Sequence, residues 1–191
     1  VFTDITGHWA ADFISGLATQ NLIGGFADGS FKPDIAINRA QYAALLVKAF
    51  NPAPKRDAIA FPDIPGSFWA KPFIDQAYRA GFISGFPDGS FKPDQNIPRF
   101  QLLASLVSGL GLSGGTPALL AAYDDRASIP QYAQTQIATA TQQKLVVNYP
   151  NLRQLNPVRD TTRAEVAAFV YQALVQSGRS PTIPSPYIVL V

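Results

Sequence analysis

Six stretches of the chain carry apolar residues at helical spacing, and they alternate between two kinds. Residues 9–20, 69–80 and 132–143 read as amphipathic helices with one apolar face. Residues 39–50, 99–110 and 163–176 are apolar almost all round: Tyr42, Leu45, Leu46, Val47 and Phe50 in the first, Val166, Phe169, Val170, Leu174 and Val175 in the last. A helix without a polar face is buried. One helix pair cannot cover such a helix, whereas three pairs packed together can. The pattern predicts a mainly α fold of three helix-loop-helix repeats in a pseudo-threefold arrangement. The second helices form a central three-helix bundle and the loops radiate outward.

The loops carry the repeat in its clearest form. Gly25-Phe-Ala-Asp-Gly-Ser-Phe-Lys-Pro-Asp34 returns 60 residues later as Gly85-Phe-Pro-Asp-Gly-Ser-Phe-Lys-Pro-Asp94, identical at nine of ten positions. Trp9 matches Trp69 and Arg39 matches Arg99 at the same offset. A third, eroded copy has Tyr123-Asp-Asp125 for Phe61-Pro-Asp63, Tyr149-Pro-Asn151 for Phe86-Pro-Asp88, and Arg163 for Arg99. Such self-similarity marks one supersecondary unit used repeatedly. The units are read as residues 1–51, 60–112 and 122–177. Pro- and Gly-containing linkers join them, and an extended tail, 178–191, ends in apolar residues fit to dock on the body or form a strand.

Composition narrows the function. Lys and Arg number 15 against 13 Asp and Glu, a net charge of +2, too weak for a dedicated nucleic-acid binder. Charged residues make up 15%, low against the ~25% usual for soluble domains. With no Cys and one His, thiolate chemistry and multi-histidine metal sites are excluded, and the lack of Cys suits an extracytoplasmic protein. No run approaches the ~20 apolar residues that span a bilayer. The chain begins at Val1 without a signal-like segment, which reads as a mature fragment or a domain of a longer protein.

The opening aromatic with Asp, the His8-Trp9-Ala string, Gly-Phe-x-Asp-Gly-Ser-Phe-Lys-Pro and Thr162-Arg-Ala-Glu165 together resemble the S-layer homology family. Its Thr-Arg-Ala-Glu box stands intact in the third copy, as Asn38-Arg-Ala-Gln41 in the first and as Pro98-Arg-Phe-Gln101 in the second. The second linker and the Ser185-Pro-Tyr-Ile-Val189 tail look most like the cyanobacterial branch. The resemblance implies three tandem modules in a three-pronged spindle. It also implies non-covalent anchoring to a cell-wall polysaccharide or peptidoglycan, often through a ketal-linked pyruvate held in inter-repeat grooves. The place implied is the cell envelope (wall, periplasm or surface layer), with self-assembly a further partner mode.

Candidate ligand residues follow from the repeat. Arg39, Arg99 and Arg163 each open a buried helix, where free N–H groups and the dipole favour an anion, and a guanidinium binds a carboxylate through paired hydrogen bonds. The competing role is an ion pair to a neighbouring Asp. Asp4, Asp63 and Asp125 either bond sugar hydroxyls, as the family suggests, or cap helices and pair with the arginines. Trp9 and Trp69 either stack on a sugar ring or seal the first helix onto the bundle. Gly25 and Gly85 allow close approach of a ligand or a left-handed turn. Lys32 and Lys92 reach toward an acidic glycan, while Phe31 and Phe91 plug the core. Gln41 and Glu165 complete capping boxes with Asn38 and Thr162, and Asn96 substitutes where Pro98 removes the cap.

No metal or cofactor is implied, since the loop alternates Gly29, Phe31 and Pro33 with Ser30 and Lys32 rather than oxygen ligands. An enzyme such as a wall hydrolase would need two carboxylates roughly 5–9.5 Å apart across a cleft. Here every placeable acid recurs with the repeat or serves a cap, and His8 has Phe68 and Gln131 at the matching positions. The alternatives are a protein–protein assembly module of the envelope, or the wall-targeting domain of a larger hydrolase.

Overall fold

The computed structural model describes residues 1–191 and contains six α-helices: α1 (Ala11–Thr19), α2 (Arg39–Phe50), α3 (Lys71–Arg79), α4 (Arg99–Gly109), α5 (Gln134–Gln142) and α6 (Arg163–Gln176). Short 3-10 turns cover Pro117–Ala122, Arg126–Ser128 and Gln131–Ala133, and extended pairing is limited to isolated bridges. The fold is mainly α, with the second helix of each pair at the centre. Of the 14 residues of α6, 11 are buried, and 10 of the 12 of α2, as the lack of a polar face requires. The outer helices bury one stripe each, Phe13, Ile14 and Leu17 in α1 and Ile74 and Ala77 in α3. No helix is long and apolar enough to cross a membrane.

The helices pair out of step with the sequence. Each outer helix packs on the central helix of the preceding unit: α3 on α2, α5 on α4, and α1 on α6, which closes the ring. A single core of 51 buried residues runs through all three units. Stability is therefore shared between units.

At one end of the bundle the segments leading into the central helices form a closed triangle. Ala36 bridges Thr162, Asn38 bridges Asn96, and Pro98 bridges Asp160. This triangle also resolves the helix starts, whose first N–H groups lack partners within the helix. The Arg39 and Ala40 amides donate to the Gln95 and Pro93 carbonyls at 3.0 Å. Arg99 and Phe100 donate to Arg159 and Pro157, and Arg163 and Ala164 to Ile35 and Pro33. The expectation of free N–H groups awaiting an anion is thus corrected, because the next unit's loop already supplies acceptors.

Local chemistry sets the ends. Asn38–Gln41 and Thr162–Glu165 form full capping boxes. Pro98 has no side-chain cap, and Asn96 does not replace it; its amide donates to Asp160 at 3.1 Å. The outer helices start two residues later than their pattern suggests, since Trp9, Trp69 and Tyr132 lie in the turns before them. The tail docks on the body. The Val189 amide donates to the Val146 carbonyl, the Asn148 amide to the Tyr187 carbonyl, and Arg179 to the Phe50 carbonyl at 2.9 Å each.

Candidate functional site

Each loop is built around its opening Asp. The Asp4 carboxylate accepts the Phe31 and Lys32 amides at 2.8 Å, Asp63 those of Phe91 and Lys92 at 2.9 and 2.8 Å, and Asp125 those of Leu155 and Asn156 at 3.0 and 2.8 Å. These clamps hold Lys32, Lys92 and Asn156 in the left-handed region at φ 57°, 57° and 49°. The turn drives Phe31 and Phe91 fully into the core. The Phe31 and Lys32 amides hold the Asp4 carboxyl below its ordinary range. Burial pushes Asp63 up, but the Phe91 and Lys92 amides outweigh it and the net direction is down. Asp28 and Asp88 close the tight turns, each accepting the amide and hydroxyl of the following Ser30 or Ser90.

Gly25 and Gly85 are required by packing. A Cβ on Gly25 would stand 2.5 Å from the Phe2 ring and from the Ser30 carbonyl oxygen; on Gly85 it would stand 2.6 Å from the Phe61 ring. Neither residue has a positive φ, so the left-handed turn expected of them belongs instead to Gly29 and Gly89.

The arginines reach across unit boundaries to backbone carbonyls. Arg39 donates from Nε to Phe91 at 2.7 Å and from Nη2 to Ser84 at 2.6 Å; Arg163 donates likewise to Phe31 at 2.8 Å and Gly24 at 3.0 Å. In both, Nη1 has no partner within the protein, and neither guanidinium has a salt bridge. Arg99 differs. It is 1% exposed, donating from Nε to the Leu155 carbonyl, from Nη2 to Asn148 and Val147, and from Nη1 to the buried Glu165 carboxylate. All three arginines were expected to contact ligand, and the third copy's groove, without the loop glycines and lysine, to be altered or silent with Arg153 or Arg159 supplying charge. In the structure Arg39 and Arg163 keep an unpartnered Nη1, whereas that of Arg99 is taken by Glu165. Burial lowers the Arg39 pKa to about 10, partly offset by Asp63, and lowers Arg163 and Arg99 in the same direction. With its pKa at about 10, Arg39 stays charged at neutral pH.

Arg39 lines an inter-unit groove, and Arg99 lies buried beneath the Glu165 of a second. The Arg39 groove, about 320 Å³, is lined by Tyr42, Ser84, Gly85, Phe86, Gln101, Ser105, Ser108 and Gln136 among others, with no acidic residue. The groove over Arg99, about 360 Å³, is lined by Gly7, His8, Trp9, Asp34, Tyr149, Arg159, Thr162 and Glu165. Arg163 lies against Phe26 of the first unit's loop, 5.0 Å from the ring centroid. Lys92 lies over the Phe86 ring at 4.4 Å and Lys32 over Phe26 at 4.2 Å, the same rings that Arg39 and Arg163 lie against.

The tryptophans diverge. Trp69 is 56% exposed, whereas Trp9 is half-buried and stacked on Tyr149, with ring centroids 5.4 Å apart. Sequence reasoning assigned Gln41 and Glu165 to capping alone and passed over Gln101, Phe26 and Phe86. Position three of each central helix, read as Gln, Gln and Glu across the copies, was the available signal for groove polarity.

Nucleophilic chemistry finds no support in the geometry. Gly111-Leu-Ser-Gly-Gly115 has nucleophile-elbow spacing, but it follows α4 in a coil rather than joining strand to helix. The one imidazole, His8, hydrogen-bonds Asp34 at 2.9 Å, and no group of His, Asp and Glu is placed to hold a metal ion.

Comparison with known proteins agrees with this architecture. The S-layer homology domain model matches residues 1–43 and 60–103. The chain is 29% identical over 186 residues to "Amylopullulanase" of Thermoanaerobacterium thermosulfurigenes, covering 93% of this chain and 10% of that protein. It is 28% identical over 186 residues to "Exoglucanase XynX" of Acetivibrio thermocellus, covering 93% and 16%. It is 36% identical over 108 residues to "Cellulosome-anchoring protein" of Acetivibrio thermocellus, covering 54% and 24%. The chain thus spans between 10% and 24% of the length of these relatives. The first two helix-loop-helix units of the chain thus match the S-layer homology domain family.

Proposed function

We propose that this chain is a non-enzymatic cell-wall anchoring module that holds an acidic, peptidoglycan-linked polysaccharide in its inter-unit grooves. One observation carries the reading: Arg39 and Arg163 each keep an unpartnered Nη1 beside an aromatic ring, Phe86 or Phe26, that also carries a lysine. That combination suits a carboxylate on a sugar ring, such as a pyruvate ketal, with the guanidinium taking the anion and Trp69 the apolar face. Asp4, Asp63, Asp125, Gly25 and Gly85 support the loops that form the walls.

The third unit, residues 122–177, is read as a further S-layer homology copy, since Asp125 clamps its loop and Thr162–Glu165 caps its helix as in the others. The long second linker and docked tail favour the cyanobacterial branch. The module would act outside the cytoplasm, tethering whatever longer protein carries it, and the names of its relatives suit either a surface protein or a polysaccharide-degrading enzyme. Two weak seats gain avidity on a repetitive polymer when both engage.

Co-sedimentation with purified wall sacculi, intact or acid-stripped of attached polysaccharide, tests this. Binding lost on stripping supports the glycan anchor. Equal binding to both moves the ligand to peptidoglycan itself, and no binding to either refutes the anchor in favour of a protein partner.

A further inference from the structure

The starts of the three central helices are not equivalent, and the difference is a proline. In the first unit the Gln41 side chain accepts the Asn38 amide at 3.0 Å, and in the third Glu165 accepts the Thr162 amide at 2.9 Å. The second unit has Gln101 at the same helix position, but the residue it would cap is Pro98, which carries no N–H. A capping box needs that amide. The Gln101 side chain therefore has nothing to bond at its own helix start, and it makes no hydrogen bond within the protein. It lines the Arg39 groove instead.

Other positions around the same groove depart from the repeat in the same sense. Gln136 of α5, likewise without a side-chain hydrogen bond, lines it where α1 and α3 carry Phe13 and Phe73, which pack in or against the core. On α4, Ser105 and Ser108 stand where α2 has Leu45 and Lys48 and α6 has Phe169 and Gln172. Their hydroxyls donate to the Phe82 and Gly81 carbonyls, so what they give the groove is room. The result is a cavity of about 320 Å³, in the range of small-molecule sites, with Arg39 Nη1 and two unpaired carboxamides along it and no acid.

We infer that Pro98 turns Gln101 from a capping residue into a ligand-binding one, so that the Arg39 groove reads the hydroxyl groups of a sugar as well as its carboxylate. The inference rests on the Arg39 groove being a carboxylate seat. A carboxamide both donates and accepts, which matches a hydroxyl and gives no advantage to a bare anion. Arg39 holds the carboxylate, and Gln101 with Gln136 takes hydroxyls of the same ring. Gln41 spends its carboxamide oxygen on the Asn38 amide, and Glu165 is held as an acceptor by Arg99 and Arg159, so neither offers the same pair of groups. The second unit forgoes a side-chain cap on α4 and gains a polar contact in the groove.

The glutamine side chains report on this groove alone. The full chain, 15N-labelled, is titrated with a methyl hexoside bearing a ketal-linked pyruvate, and separately with an analogue lacking its free ring hydroxyls, while the side-chain NH2 signals of Gln101 and Gln136 are followed. Both signals should move with the first probe, and the analogue should bind about five- to tenfold more weakly, roughly what one neutral hydrogen bond is worth. Pro98→Thr supplies the missing N–H together with the cap hydroxyl of the third unit. It should raise the melting temperature and, on the Gln136 signal, weaken the first probe by about the same factor while leaving the analogue unchanged. Gln101→Leu should weaken the first probe equally without the gain in melting temperature, and it decides alone should Pro98→Thr fail to fold. Undiminished affinity in Gln101→Leu, or in a folded Pro98→Thr variant, overturns the inference. Equal affinity of the unaltered chain for the two probes overturns it as well. No response to either probe in the unaltered chain is a different failure, which removes the carboxylate-seat reading and the inference with it.

Discussion

The Arg39 guanidinium lies across the Phe91 ring, 4.4 Å from its centroid, while its Nε donates to the carbonyl of the same residue at 2.7 Å. Arg163 repeats this on Phe31 at 4.4 and 2.8 Å. The first residue of a central helix in one unit thereby grips the buried loop of another. The arginine holds units together with one edge and faces the groove with the other.

Substitution of these arginines should therefore affect stability unequally. Arg39→Gln is expected to cost ~1–3 kcal/mol, since two carbonyls lose charged donors. Arg99→Gln should cost ~3 kcal/mol or more, because its buried bonds to Leu155, Val147 and Asn148 are lost and Glu165 keeps only the half-exposed Arg159 as a cationic partner. Urea denaturation of both variants orders the losses, and a smaller effect at Arg99 would contradict the burial argument.

Acid should loosen the loops. The carboxyls of Asp4, Asp28, Asp63 and Asp88 lie below their ordinary range in the folded chain, held there by amide and hydroxyl donors. As pH falls, the unfolded chain takes up these protons first, so stability falls with it. The contribution is whole above about pH 4 and is lost as pH drops through the depressed values. Melting temperature measured from pH 7 to 2 should stay level and then fall below about pH 4. Asp63→Asn should start lower and fall less steeply, and an unchanged acid limb would count against the clamp.

Adjacent glycines should respond in opposite ways. Gly24→Ala meets nothing within 4 Å, and reduced freedom of the unfolded chain makes it neutral or slightly stabilising, by up to ~1 kcal/mol. Gly25→Ala drives a methyl into Phe2 and the Ser30 carbonyl, an overpacking expected to cost ~1–3 kcal/mol. Thermal melts of the two variants make a paired comparison in which equal values would refute the packing role.

A single unit cut out along the sequence repeat should not fold. Residues 1–51 contain α2 without α3, the helix that covers it, and α1 without α6. Circular dichroism of that fragment should show little helix and no cooperative melt. A cooperative transition would mean that each unit packs on itself.

Much of this was legible from local chemistry. The α2 and α6 spans follow the pattern residue for residue, because capping boxes at Asn38–Gln41 and Thr162–Glu165 set their starts. Asp-Gly-Ser turns and the buried Phe31 and Phe91 were legible for the same reason, since each depends on neighbours within a few positions. The site was legible only as a recurring arginine. Pro98 and Phe100 flank Arg99 where Asn38 and Ala40 flank Arg39, but they do not announce its partners Asn148 and Glu165, 49 and 66 residues away.

By itself, then, the amino-acid order determined that there are three helix pairs, which helices must be buried, and where the loops turn, because helical periodicity, caps and turn residues act over one or two turns of chain. Tertiary structure decided the rest: α1 packs on α6 rather than α2, the triangle of bridges takes up the helix-start amides, and Arg99 is buried against Glu165 while Arg39 and Arg163 keep an unpartnered Nη1. These outcomes come from contacts such as Arg163 with Gly24, 139 residues apart, whose geometry exists only once the ring of units has closed.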